Sequence, residues 1–186
     1  SITYYGYVKD NAGNTKSCSS TVKRDATPPT CSVNASGTVG DNSWYTSDVS
    51  ISITPDDNLS DVHSYDLTES STASYSKNTS KTLSSDIASK TYYGYVKDNA
   101  GNVNSCTKTV KRDATDPTCT VTPSGTVGSN SWYTSNVTFT LAKSDATSDI
   151  AKYGIIASTT TTYNSQTSQT LSSDKDSITY YGYVKD

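Results

Sequence analysis

Every landmark of this chain returns after 88 residues without an insertion or deletion, and that period restricts the fold more tightly than any composition does. Thr3-Tyr4-Tyr5-Gly6-Tyr7-Val8-Lys9-Asp10 stands again at Thr91–Asp98 and at Thr179–Asp186. Asn42-Ser43-Trp44-Tyr45-Thr46-Ser47 returns as Asn130–Ser135, Cys18 as Cys106, and Cys31 as Cys119. Such a period is too long for one turn of a solenoid and suits a small autonomous domain. Arg24-Asp25-Ala26-Thr27-Pro28-Pro29-Thr30 and Arg112-Asp113-Ala114-Thr115-Asp116-Pro117-Thr118 are the expected linkers, because proline interrupts ladder pairing and fixes φ. Residues 1–24 then read as the closing strands of a preceding repeat and 25–112 as a complete repeat. Residues 113–186 read as a repeat lacking its last strand.

Alternation locates the strands within the period. Val49, Ile51 and Ile53 alternate with Ser50, Ser52 and Thr54, and Val137, Phe139 and Leu141 repeat the pattern. Tyr65 and Leu67 are matched by Tyr153 and Ile155, and Tyr92, Gly94 and Val96 alternate with Tyr93, Tyr95 and Lys97. Asp98-Asn99-Ala100-Gly101-Asn102 reads as a hairpin turn leading to a last strand through Cys106 and Val110. With 15 Tyr, no Met and only 32% hydrophobic residues, the chain suits pleated, half-wet sheets with thin cores. The expectation is an all-β chain of immunoglobulin-like β-sandwich domains in series.

Tyr-x-Lys-Asp-Asn-Ala-Gly-Asn at Tyr95–Asn102, with Val-Lys-Arg-Asp-Ala-Thr-x-Pro-Thr at Val110–Thr118, resembles the end of the bacterial immunoglobulin-like repeats of large Gram-positive surface proteins. Thr134-Ser135-Asn136-Val137 and the acidic turn before Ile150-Ala151-Lys152-Tyr153 fit the same family. The resemblance implies a stalk or adhesin-array role. A departure is Asp61 (Asp149 in the next copy), where that turn more often has Gly.

In such a sandwich the first and last strands run in the same direction and lie side by side. Cys31 and Cys106, 75 residues apart, are therefore expected to bond within one domain, with Cys18 and Cys119 pairing beyond these residues. Joining Cys18 to Cys31 would need roughly 40 Å of extended linker to double back. A structural disulfide implies an oxidising, extracellular compartment.

No Ser/His/Asp set, phosphate-cradling glycine loop or metal-binding histidine pair is present; His63 is the single histidine. The expectation is a chain that is not an enzyme. A net charge of −3 speaks against nucleic-acid binding, and Lys23-Arg24 and Lys111-Arg112 read as solvated strand ends. No apolar run is long enough for membrane insertion. Two binding features remain. Asp25, Asp57, Asp61 and Asp98 gather hard oxygen ligands at one end of the sandwich and are candidates for calcium, against the plainer reading of ordinary turn chemistry. Tyr93 and Tyr95, repeated as Tyr5, Tyr7, Tyr181 and Tyr183, form a candidate outward stripe for lateral self-association into fibres, unless neighbouring strands cover them. Trp44 and Trp132 read as packing residues near a strand start. The leading expectation is a structural spacer, stalk or fibre-forming region on a bacterial surface, its partners further repeats of the same chain. The alternatives are an adhesive module for a glycan or host protein, for which 68–79 is the most divergent loop, and a phage tail-fibre domain.

Overall fold

β-Branched and aromatic residues in alternation with Ser, Thr and Lys build an all-β protein of thirteen strands in antiparallel sheets, with single 3-10 turns at Asp41–Ser43 and Ser129–Ser131. The computed structural model describes residues 1–186 and divides into two compact units. The first comprises Ser1–Gly37, Val49–Leu83 and Lys90–Val110; the second comprises Thr38–Asp48, Ser84–Ser89 and Lys111–Asp186.

In the first unit, β1 (Ile2–Lys9) and β2 (Thr15–Val22) form an antiparallel hairpin with Gly6 opposite Cys18. β3 (Thr30–Ser36), β4 (Val49–Asp56) and β6 (Ser80–Leu83) make a three-stranded sheet in the order β3-β4-β6. β5 (Val62–Thr68), β7 (Ile87–Asp98) and β8 (Val103–Arg112) make another in the order β5-β7-β8, of which the start of β7 before Lys90 and the end of β8 after Val110 belong to the second unit. Val49, Ile51 and Ile53 of β4 are buried, as are Val33, Leu83, Leu67, Tyr92, Val96 and Val110. Each large apolar side chain removed from water in this way contributes about 1.5–3 kcal/mol.

Cys31 and Cys106 are bonded, with Cα atoms 5.9 Å apart. Gly94 lies beneath that bridge: a Cβ there would stand 2.7 Å from Cys106 Sγ, 2.8 Å from Ile53 Cδ1 and 2.9 Å from Val33 Cγ2. Glycine is therefore required by close approach of the disulfide and of side chains from the facing β3-β4-β6 sheet, with no special backbone angle involved. The turn after β7 is closed by Asp98, whose N–H donates to Asn102 O (3.1 Å) and whose Oδ1 accepts from Gly101 N and Asn102 N. Gly101 takes φ 100° there.

In the second unit, β9 (Thr118–Ser124), β10 (Val137–Ser144) and β12 (Ser168–Leu171) pair in the order β12-β10-β9, and β11 (Lys152–Ile156) pairs with β13 (Tyr181–Lys185). Val137, Leu141 and Ile155 are buried, and the Phe139 ring packs 4.4 Å from that of Tyr180. Trp132, expected to pack, is 55% exposed. Trp44 follows an equivalent 3-10 turn and is half-buried, with Lys111 Nζ 4.9 Å above its ring, so what differs is the cover over the indole and not the turn before it.

Candidate functional site

Two groups of three carboxylates stand at positions 88 residues apart in every member: Asp25, Asp57 and Asp98 in the first unit, and Asp113, Asp145 and Asp186 in the second. In each group one oxygen per residue lies within 4.8 Å of the others. The three members come from a proline-bearing linker, from the loop after the second long strand of the period, and from the end of the Tyr-Gly-Tyr strand.

Local hydrogen bonding explains how each carboxylate is aimed. Asp25 Oδ1 accepts from Thr27 N at 3.0 Å, and Asp113 Oδ1 from Thr115 N at 3.1 Å. Asp57 Oδ2 accepts from the N–H groups of Leu59 (3.2 Å) and Ser60 (2.8 Å). Asp145 Oδ2 takes those of Thr147, Ser148 and Asp149 at 2.8–3.0 Å. These turns occupy one oxygen and leave the other. Asp25 Oδ2, Asp57 Oδ1 and Asp113 Oδ2 are buried without a hydrogen-bond donor. Asp113 as a whole is only 5% exposed. Burial works against ionisation of Asp98, but donors from Asn102, Gly101 and Ala100 outweigh it and hold its carboxyl below the ordinary 3.8. Burial is likewise outweighed at Asp145 by the backbone donors of residues 146–149. No Lys or Arg forms an ion pair with any of the six. At an effective dielectric of about 20, each pair of charges near 4.8 Å repels by about 3.5 kcal/mol.

Asp61, the fourth residue expected in this cluster, is not part of it. Asp61 and Asp149 sit at φ 66° and 67°, filling the left-handed conformation for which glycine is the usual choice. The Asp61 contribution is its backbone: its carbonyl accepts from Asn99 N at 3.0 Å and Asn99 Nδ2 at 3.3 Å. Asn102, on the same turn, reaches the linker, donating from Nδ2 to Thr27 O at 3.3 Å, and Asn104 Nδ2 donates to Pro29 O at 2.9 Å.

Arg112 corrects the expectation of a solvated strand end. It is 9% exposed, and its Nε donates to Ser47 O at 3.0 Å. One terminal nitrogen reaches Asp86 Oδ1 at 2.5 Å and the other Asp48 Oδ1 at 3.0 Å. Asp86 also accepts from Ala114 N and Thr115 Oγ1, of which the Thr115 hydroxyl does most to hold its carboxyl below the usual range. Tyr45 N donates to Lys111 O, and Asp113 N to Tyr45 O. Within the second unit, residues 111–115 are thus laced to the segments 38–48 and 84–89. The counterparts Lys23 and Arg24 are exposed. Arg next to a proline-bearing linker, with Asp at two loop positions, was the available signal.

The tyrosine stripe divides. Tyr95 is buried and donates to Ser70 O at 3.4 Å, so loop 68–79 covers the face on which it was expected to be free. Tyr183 is half-buried and donates to Ser158 O at 2.8 Å, and Tyr93 is half-buried. Tyr5, Tyr7 and Tyr181 are exposed. The covering loop is anchored by Asp66, 2% exposed, which accepts from Ser74 Oγ, Asn78 N and Asn78 Nδ2. In the next copy Gly154 holds that position, and Asn164 anchors the loop instead by bonding both N and O of Ile155. Cys18 and Cys119 are free and exposed. An open cleft of about 860 Å³ beside Tyr133 and Phe139 matches the place where, 88 residues earlier, Tyr45 holds the backbone of Lys111 and Asp113. No helix is long and apolar enough to cross a membrane. No protein-family model and no curated protein matches the chain.

Proposed function

We propose that the chain is a series of immunoglobulin-like sandwich repeats acting as a non-enzymatic spacer in an extracellular surface protein or fibre of the Gram-positive type that its motifs resemble. The observation that carries this reading is the burial of Arg112 among Asp48, Asp86 and the Ser47 carbonyl. A guanidinium withdrawn from water and matched to two carboxylates is strongly destabilising to leave half-paired. A linker held this way resists bending, which a spacer needs and a free-swinging tether does not. The disulfide supports an oxidising compartment. A gapless 88-residue period with the same linker, turn and Tyr-Gly-Tyr motifs in each copy supports repetition for length rather than for a specialised ligand site.

The adhesive alternative draws on a single observation, the different anchoring of loops 68–79 and 156–167 by Asp66 and Asn164. Small-angle scattering of the chain and of Arg112→Ala separates the two. A spacer gives one narrow distribution of interatomic distances that broadens in the variant while far-UV circular dichroism stays the same. Micromolar binding of a glycan or host protein by the parent chain, with an unchanged distribution in the variant, would replace the spacer with an adhesive module.

A further inference from the structure

The geometry points to a calcium site in each carboxylate triad, two per chain, that fastens the linker aspartate to the sandwich it precedes. This inference goes beyond the spacer reading and stands on the carboxylates themselves.

The first argument is the combination of buried, donor-free oxygens with convergence. Asp113 is nine-tenths buried, its Oδ1 is engaged by Thr115 N, and its Oδ2 has no donor although it lies out of reach of water. At the other site Asp25 and Asp57 are half-buried, and Asp25 Oδ2 and Asp57 Oδ1 are buried without a donor. A buried carboxylate oxygen is stable only when a donor or cation meets it, and no basic side chain pairs with any of these six residues.

The donor set selects the ion. Three carboxylates without His or Cys make a hard, all-oxygen site, which excludes ions that prefer nitrogen or sulfur. Oxygens spread over as much as 4.8 Å fit bonds of about 2.3–2.6 Å to calcium. Magnesium requires bonds of about 2.0–2.1 Å in a near-ideal octahedron and gives up its waters reluctantly. Because the turn bonds fix one oxygen of Asp25, Asp57, Asp113 and Asp145, the free oxygens are positioned before an ion arrives.

The consequence follows from which residues supply the ligands. Asp113 donates its backbone N–H to Tyr45 O while its side chain faces Asp145 and Asp186. One linker residue therefore belongs both to the Arg112 clamp and to the carboxylate triad. A cation in the triad closes the second fastening and leaves the linker no free rotation at that residue.

The test is calorimetric titration of the whole chain, treated with chelator, with calcium chloride or magnesium chloride, alongside thermal melting. Calcium should bind at two sites per chain and raise Tm by roughly 5–15 °C at a few millimolar. Magnesium should do markedly less. Asp57→Asn should remove one site and Asp57→Asn with Asp145→Asn both, since Asn keeps an oxygen for the turn amides but not the charge. Both variants should match the parent in chelator by circular dichroism. Identical melting in calcium and chelator, or calcium binding that survives the double variant, would overturn the assignment. Equal stabilisation by magnesium would reduce it to unspecific charge neutralisation and overturn it also. If Asp57→Asn fails to fold, Asp113→Asn supplies the same comparison at the second site.

Discussion

At the scale of single residues, the decisive groups are aspartates with different duties. Asp66 is buried on the sheet face and serves only the loop that covers Tyr95. Burial opposes its ionisation, but bonds from Ser74 and Asn78 outweigh it and lower its folded pKa below the ordinary 3.8. A depressed carboxylate pKa contributes stability that is complete above the unfolded value and lost as pH falls through the folded one. The chain should therefore lose loop anchoring below about pH 4, and Asp66→Asn should flatten that part of the profile. Hydrogen exchange of residues 70–78 against pH measures both; parallel profiles in parent and variant would remove Asp66 from the account. Asp61 shows the opposite case, a side chain of little consequence on a backbone whose φ of 66° orients the turn.

At the scale of elements, the disulfide does what a thin core cannot. It ties β3 to β8 across 75 residues, and the chain-entropy model gives such a loop about 4 kcal/mol. That is a large part of the stability of a domain this size. Replacing Cys31 and Cys106 together with Ser should lower Tm by roughly 15–30 °C, read by differential scanning calorimetry. A drop of only a few degrees would mean that the two sheets hold without the bridge. Gly94 belongs to the same device, because its missing Cβ makes room for Cys106 Sγ between Ile53 and Val33.

At the scale of the molecule, the spacer reading has a mechanical consequence. In a period of 88 residues whose bridge encloses 75, only about 13 can extend under force, or roughly 45 Å. Single-molecule pulling of an array should show short, equal extensions that lengthen several-fold once reductant opens the bridge. Long extensions without reductant would contradict the locked repeat.

Periodicity, strand positions and the cysteine pair were legible in the sequence because they rest on local alternation and on a period without gaps. Val49, Ile51 and Ile53 point inward by the geometry of any strand, and Asp98–Asn102 turns by its own chemistry. The convergence of Asp25, Asp57 and Asp98 was legible only in outline, since three distant segments supply it and a shared end of a sandwich does not fix which side chains face one another. Sequence therefore included Asp61 and had no means to exclude it. It also left Arg112 in solvent and Tyr95 on an open face. What buries them is a neighbouring loop in each case, the segments 38–48 and 84–89 around Arg112 and 68–79 over Tyr95. Alternation along a strand says which face a side chain takes, and only the tertiary structure decides what covers that face.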